Sequence, residues 1–232
     1  MFMSYTKYEY NDRIEYMGNG QTVPKGATHV RFHPSLLEVC NNAFNGCKSL
    51  REVVLNDGLR EIGQYAFRDC IALQSINIPS TVTKIGDYAF YNCINLRDIV
   101  LNWGLKNIGQ SAFERCKALQ SITIPSTVLE IDEFAFEYCS SLREVVLNDG
   151  LKKIGFCAFK ECSSLQNIII PSTVTEIESE AFRDCTKLRD VALNVGIKRI
   201  RFGVFAGCTT LKSITLPSTV TEIDKLAFKG CS

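Results

Sequence analysis

The feature that most constrains the fold is an internal repeat of 23 residues. A phenylalanine recurs at this interval from residue 44 onward, and a cysteine follows each phenylalanine three positions later. The phenylalanines are Phe44, Phe67, Phe90, Phe113, Phe136, Phe159, Phe182, Phe205 and Phe228, and the cysteines are Cys47, Cys70, Cys93, Cys116, Cys139, Cys162, Cys185, Cys208 and Cys231. The register has no insertion or deletion, so nine units are predicted over residues 27–232. One unit has too few apolar side chains to close a core, so the units must bury one another by stacking.

Within one unit the pattern predicts two short strands and a tight turn. In Leu73–Ile78 the apolar residues alternate with polar ones, as in a strand with one buried face. Pro79 cannot donate to a ladder and marks the end of this strand. A second short strand is predicted over Val82–Ile85, and a turn back into the core over Ala89–Cys93.

The unit resembles the BspA-like class of leucine-rich repeat, whose pattern is approximately L-x-x-I-x-I-P-x-x-V-x-x-I-G-x-x-A-F-x-x-C. Residues 73–93 match every specified position, and the resemblance covers residues 27–232. It implies a β-rich, right-handed curved solenoid with one parallel sheet on the concave face. Short turns or 3-10 segments and short second strands are implied elsewhere. It also implies surface adhesion or protein binding.

The first residues and the alternation of units add two further expectations. Residues 1–26 are predicted to form a β-hairpin that caps the array, with Asn11-Asp12 at its turn. Units with a glycine after the long strand, such as 50–72, alternate with units that have a proline there, such as 73–95, so the full period is 46 residues. We call them Gly-type and Pro-type units. The glycines, predicted to adopt positive φ, are Gly58, Gly104, Gly150 and Gly196.

One column of the short strands alternates in charge along the stack, except at Asn107. Glu61 is followed 23 residues later by Lys84, and further on Lys153 by Glu176 and Arg199 by Glu222. Stacking brings these positions within about 5 Å, the distance between neighbouring strands. Opposite charges at that distance attract by ~0.2–1 kcal/mol per pair. The alternation therefore predicts that neighbouring units attract rather than repel one another at this position.

Composition excludes several classes of function. Lys+Arg number 26 and Asp+Glu 25, a balance that argues against nucleic-acid binding. No apolar run reaches 18 residues, so membrane insertion is not expected. Acidic residues near the start argue against a signal peptide, which with unpaired cysteines favours the cytoplasm. The resemblance leaves the cell surface as the alternative.

Catalytic, metal and cofactor sites are not expected. The 11 cysteines lack C-x-x-C spacing and the 2 histidines, His29 and His33, lie together in the first unit without a partner nucleophile. The periodic cysteines are predicted to be buried thiols. Cys40 and Cys157 fall outside the column, and Cys157 is predicted to be the more exposed and oxidisable of the two. No enzyme activity and no cofactor are therefore predicted.

The concave sheet is the best candidate for binding a protein or peptide partner. Mixed charged and apolar side chains suit such a surface, and tryptophan is enriched in interface hot spots. The candidate residues are Arg97, Val100, Trp103, Arg143, Val146 and Ile169. The alternative is a structural spacer, or a segment of a longer repeat protein that self-associates through an uncapped C-terminal edge. An exposed apolar patch would favour recognition of a partner. Ion pairs between neighbouring units on every face would favour a spacer.

Overall fold

The computed structural model describes residues 13–18 and 21–232, and the chain forms a parallel β-solenoid of stacked turns without a helix in these residues. Each turn, or rung, contains a long and a short strand, numbered in chain order. The long strands are β1 (Arg13–Tyr16), β2 (His29–Phe32), β4 (Glu52–Val54), β6 (Ser75–Asn77), β8 (Asp98–Val100), β10 (Ser121–Ile124), β12 (Glu144–Leu147), β14 (Asn167–Ile169) and β16 (Asp190–Ala192). The short strands are β3 (Glu38–Val39), β5 (Glu61–Ile62), β7 (Lys84–Ile85), β9 (Asn107–Ile108), β11 (Glu130–Ile131), β13 (Lys153–Ile154), β15 (Glu176–Ile177), β17 (Arg199–Ile200) and β18 (Glu222–Ile223).

The predicted stacking of equivalent residues is confirmed by the strand register. Ile76 lies opposite Ile99 in the long strands, and Ile85 opposite Ile108 in the short strands, each 23 residues apart and parallel. The phenylalanines stack face to face through the core, with ring centroids 5.3 Å apart between Phe113 and Phe136. Each rung therefore covers the apolar interior of the next, as the repeat requires.

The N-terminal end continues the ladder. β1 pairs in parallel with β2, and the ring of Tyr16 packs 5.0 Å from those of Phe32 and Phe44. Tyr16 thus covers the end of the phenylalanine column. The other arm and the turn of the predicted hairpin lie outside the described residues, so the hairpin and the boundary at residue 26 stay predictions, as does the count of nine units.

The two strand sets pair differently. The short strands β3 to β15 form one continuous seven-stranded sheet, whereas the long strands from β6 onward pair two by two. β6 pairs with β8, β10 with β12 and β14 with β16, so a Pro-type strand always pairs with the Gly-type strand that follows it. The long strands therefore show the 46-residue period directly.

The prolines account for part of this splitting. The N–H of Ile170 donates to the carbonyl of Ala192 in the next rung. Successive residues of a strand direct their hydrogen-bonding groups to opposite neighbours, so position 171 faces the preceding rung. Pro171 has no N–H to donate there. The boundary between a Gly-type rung and the following Pro-type rung is therefore the weakly paired one.

The glycine prediction is wrong at three of four positions. Only Gly150 has a positive φ, of 121°, whereas Gly58, Gly104 and Gly196 do not. At Gly104 the reason for glycine is space, because a Cβ would lie 2.6 Å from the carbonyl oxygen of Ser80 in the preceding rung. Close approach between rungs, more than turn conformation, selects glycine here.

The positive φ angles lie instead in the turn that carries the phenylalanine, where Tyr88 and Asn92 have φ of 56° and 59°. This segment is a series of turns with no 3-10 helix. Alternate N–H groups point along the stack: those of Tyr88 and Phe90 donate to the carbonyls of Gln110 and Ala112 in the next rung, while that of Ala89 donates to Gly86 within its own turn. The segment thus adds a further ladder of hydrogen bonds between rungs, in which the donating N–H groups point toward the next rung.

Eight of the nine column cysteines are buried as predicted, Cys231 is partly exposed, and all eleven cysteines are free thiols. The thiol of each column cysteine from Cys70 onward donates to a phenylalanine carbonyl of the preceding rung, as in Cys93 Sγ to Phe67 O at 3.1 Å. The prediction for Cys157 is wrong, because this residue is only 1% exposed while Cys40 is partly exposed. Burial raises the pKa of the Cys157 thiol to about 12, helped by the nearby Glu180 carboxylate and opposed by Lys160. Cys157 is therefore not an oxidisable surface thiol at neutral pH.

Candidate protein-binding face

The outward side of the long strands, which we call the long-strand face, holds all the candidate residues except Trp103, which lies at its rim. The strands alternate exposed and buried side chains, as in the exposed-buried-exposed pattern of β8. Val100 and Val146 therefore point outward while Ile99 and Val145 lie against the core. Their arrangement in one column follows from the register, which sets Val100 beside Asn77 and Val146 beside Thr123.

Several apolar side chains on the long-strand face are largely exposed to solvent. Ile169 is 72% exposed, Val100 67% and Val146 38%. They belong to three different rungs, and Trp103 adds a side chain that is 65% exposed in the turn after β8. The candidate residues thus supply an apolar strip along the stack.

Trp103 is held by its backbone and not by its ring. Its carbonyl accepts a hydrogen bond of 3.1 Å from the Thr127 hydroxyl in the next rung. The indole side chain itself is 65% exposed. The turn is therefore fixed while the indole remains available to a partner.

Charged groups on the long-strand face are largely unpaired. Arg97 and Arg143 are exposed and form no ion pair with any described residue, and the same holds for their neighbours Asp98 and Glu144. Glu52 is the exception, at 3.6 Å from His29. Unpaired charge beside exposed apolar groups is available to a complementary partner.

Most ion pairs among the described residues lie away from the long-strand face, although Lys106 and Lys152 beside the short strands form none. The predicted alternation of charge on the short strands is confirmed, since Lys84 Nζ lies 2.7 Å from Glu61 Oε1 and Arg199 Nη1 lies 3.2 Å from Glu222 Oε2. On the turns, Lys160 lies 3.3 Å from Glu137 and 3.8 Å from Glu180. Ion pairs are therefore more frequent on the other faces than on the long-strand face.

A shallow groove of about 580 Å³ opens between β12 and β14, where the long strands are not paired. Its lining combines Val146, Leu147 and Ile169 with Arg143 and the polar residues around it. Three of the candidate residues, Arg143, Val146 and Ile169, thus line one depression.

Sequence reasoning missed the side chains that fix the turns beside this face. In Gly-type rungs Asn102 Nδ2 donates to the carbonyls of Pro79 at 2.7 Å and Val82 at 3.1 Å in the preceding rung. In Pro-type rungs the Thr173 hydroxyl donates to the carbonyl of Leu151 at 2.7 Å. The signal was present, because these Asn and Thr residues each recur every 46 residues. The Asn residues are Asn56, Asn102, Asn148 and Asn194, and the Thr residues are Thr81, Thr127, Thr173 and Thr219.

The two histidines are engaged in local contacts. His29 Nδ1 lies 2.8 Å from Thr28 Oγ1, and His33 Nδ1 lies 2.7 Å from Ser35 Oγ. Within the described part of the chain, no group of three or more His, Cys, Asp and Glu side chains is placed to hold a metal ion. The same residues contain no helix with the length and apolar character needed to cross a membrane.

Comparison with known proteins identifies the repeat. The sequence profile described as BspA type leucine rich repeat region (6 copies) matches residues 25–143 and 106–232. A search of curated protein sequences finds no match.

Solved structures with the same fold come from several bacteria. A leucine-rich repeat protein from Bacteroides ovatus has a TM-score of 0.61 at 22% identity, over 94% of this chain and 76% of its own. The leucine-rich repeat protein of T. pallidum has a TM-score of 0.59 at 29% identity, over 90% and 87%. A leucine-rich cell surface protein from Faecalibacterium prausnitzii has a TM-score of 0.50 at 25% identity, over 94% and 81%. With a profile match over most of its length, the chain belongs to the BspA-type leucine-rich repeat family.

Proposed function

We propose that the protein is a non-catalytic interaction scaffold that binds a protein or peptide partner on the long-strand face. One observation carries the proposal: this face combines exposed apolar side chains with unpaired charges, whereas most ion pairs among the described residues lie on other faces. A spacer that binds no partner does not require exposed apolar side chains such as Val100 and Trp103, each about two thirds exposed. It also does not require unpaired charges such as Arg97 and Arg143. Ile169 and Val146 extend the same strip toward the C-terminal end.

A triple variant tests this proposal. Changing Val100, Trp103 and Val146 together to Ser removes the apolar strip, and we expect loss of the partner in affinity capture from native extract. Thermal stability should change little, because exposed substitutions usually alter it by less than ~0.5 kcal/mol each. The single change Trp103→Asp should weaken capture at unchanged melting temperature, since the ring has no packing role.

The matched control lies on the short-strand side. Leu129, 56% exposed, is changed to Ser together with the exposed Lys106 and Lys152. This control should retain the captured protein. Loss of capture by both variants, or a matching fall in melting temperature in the Trp103→Asp protein, would count against the long-strand face.

Self-association or a spacer role is the second candidate function. In the last described rung the N–H groups of Leu226, Phe228 and Gly230 have no acceptor among the described residues, whereas equivalent groups in earlier rungs donate to the following rung. Ile223 and Leu226 are also 54% and 47% exposed at this edge. An edge with free donors and apolar side chains is suited to cover by another copy.

The mass measured by light scattering tests this second candidate. If the edge self-associates, the mass should rise with protein concentration, and changing Ile223 and Leu226 to Lys should abolish the rise. The control Leu37→Lys places the same charge at an exposed leucine elsewhere. A constant monomer mass, or equal effects of both changes, would remove this candidate.

The free cysteines support a reducing compartment such as the cytoplasm. The F. prausnitzii neighbour is named a cell surface protein, and the surface is therefore the alternative location.

A further inference from the structure

We propose that the partner segment received by the long-strand face is an amphipathic α-helix whose apolar residues repeat every seven positions. The inference rests on the proposed function and specifies the partner of the same site. It comes from the distances between exposed side chains on the face and from the charges on either side of them.

The outward valines of the Gly-type rungs form a column with a fixed spacing. Val54, Val100 and Val146 occupy the same strand position two rungs apart, with exposures of 42%, 67% and 38%. The register of the long strands places equivalent residues on neighbouring strands, which lie about 5 Å apart. Two such steps, about 10 Å, therefore separate one exposed valine from the next.

An α-helix lying along the stack matches this spacing. Seven residues of helix advance about 10.5 Å, so positions i, i+7 and i+14 fall close to successive valines. An extended segment does not match. Its side chains on one face are about 6.7 Å apart, and a two-fold larger step of about 13 Å overshoots the valines.

Ile169 supplies the second contact that a heptad requires. It follows Val146 by one rung in the same column and is 72% exposed. Three or four residues of helix advance about 4.5–6 Å, which brackets one rung. A helix with an apolar residue over Val146 therefore places its next apolar residue, three or four positions on, over Ile169.

Acidic side chains border the column on both sides. Asp98 and Glu144 lie two residues before Val100 and Val146 along the strand, and Asp57 and Asp149 lie three residues after valines of the column. None of these four acids has an ion pair among the described residues. Lys or Arg directly beside the apolar ridge of the helix would complement these acids, and an acidic residue farther from the ridge would complement Arg97 and Arg143.

The same charges argue against a second copy of the chain on this face. Two copies with their valine columns opposed would place the acids of one copy over the acids of the other. Like charges at that separation repel and disfavour the contact. A basic amphipathic helix avoids this repulsion and keeps the apolar contacts.

A designed peptide tests the inference directly. The probe is a fluorescent peptide of about 28 residues with Leu at the first and fourth positions of each heptad and Lys beside them. A second peptide has the same composition without the seven-residue repeat, and a third has Glu in place of Lys. Fluorescence anisotropy should show binding of the first peptide, accompanied by a rise in its helical circular dichroism, and at least ~10-fold weaker binding of the other two.

Protein variants locate the site of binding. Val100→Asp should weaken the basic heptad peptide at least ~10-fold. The control Leu129→Asp, on the short-strand side, should leave it unchanged. Equal binding of the three peptides, or no binding, would overturn the helix inference. Should native capture still depend on Val100, Trp103 and Val146, the proposed function would stand while the helix inference fell. A dimer abolished by Val100→Asp would also overturn it, in favour of a second copy.

Discussion

Replacing Phe113 by Ala should reduce the free energy of unfolding by about 3–5 kcal/mol, the cost of removing a fully buried aromatic side chain. Phe113 is 0% exposed, and its ring stacks at 5.3 Å on Phe90 and at 5.3 Å on Phe136. Because solenoid stability is the sum of contacts between neighbouring rungs, this change weakens two interfaces at once. Urea unfolding with linear extrapolation measures the loss.

Phe228 provides the matched control in the last described rung. Its ring is only partly buried and stacks on Phe205 alone, with centroids 5.6 Å apart. Phe228→Ala should cost no more than about half the loss at Phe113, since it touches one interface and removes less apolar area from water. Equal losses at the two sites would mean that the column is not the cooperative core of the array.

The fold was accessible from the sequence because every rung repeats the same physical problem. Phe90, Cys93 and Leu96 have no neighbours within their own rung sufficient to bury them, so their recurrence required stacking in register. The structure places all three at 0% exposure. The opposite charges of Glu61 and Lys84 likewise predicted an ion pair, because stacking brings residues 23 positions apart in sequence next to each other in space.

Details set by close contact between rungs were not accessible in the same way. Nothing in the sequence distinguishes a glycine chosen for positive φ, such as Gly150, from one chosen for close approach, such as Gly104. Cys157 was misjudged because it falls outside the periodic cysteine column. In the stack it lies near Glu180 of the next rung, with Sγ 3.7 Å from Oε2. Contacts of this kind depend on the exact shape of the turn.

The residues of the candidate site could be predicted from the sequence, but the shape of the groove that they line could not. Strand alternation identified the outward positions of Val100, Val146 and Ile169. The groove between β12 and β14 could not be predicted, because it depends on which neighbouring strands pair. Pro171 gave a partial signal, since it removes a donor toward the preceding rung.

Gly150→Ala should also strongly destabilise the protein, by about 2–5 kcal/mol, because two costs coincide. The φ of 121° at Gly150 is a conformation that residues with a Cβ rarely adopt. An added Cβ would also overlap the backbone carbonyl of Ser126 in the preceding rung. Ser126 O belongs to a turn whose other contacts fix it, so it cannot withdraw without loosening the rung. Thermal and urea unfolding of the purified variant measure the effect.

Gly26→Ala is the control for this substitution. No atom lies within 4 Å of the position that a Cβ would occupy at Gly26, and the residue has no positive φ, so alanine fits without strain. Alanine also lowers the conformational entropy of the unfolded chain, and the expected change is a stabilisation of up to about 1 kcal/mol. A further comparison, Gly104→Ala, separates the two costs, since this site has the close approach without the positive φ. If Gly104→Ala and Gly150→Ala lose equal stability, contact between rungs alone sets the requirement for glycine. If Gly104→Ala is as neutral as Gly26→Ala, the crowding argument fails, and turn conformation explains why Gly150 must be glycine.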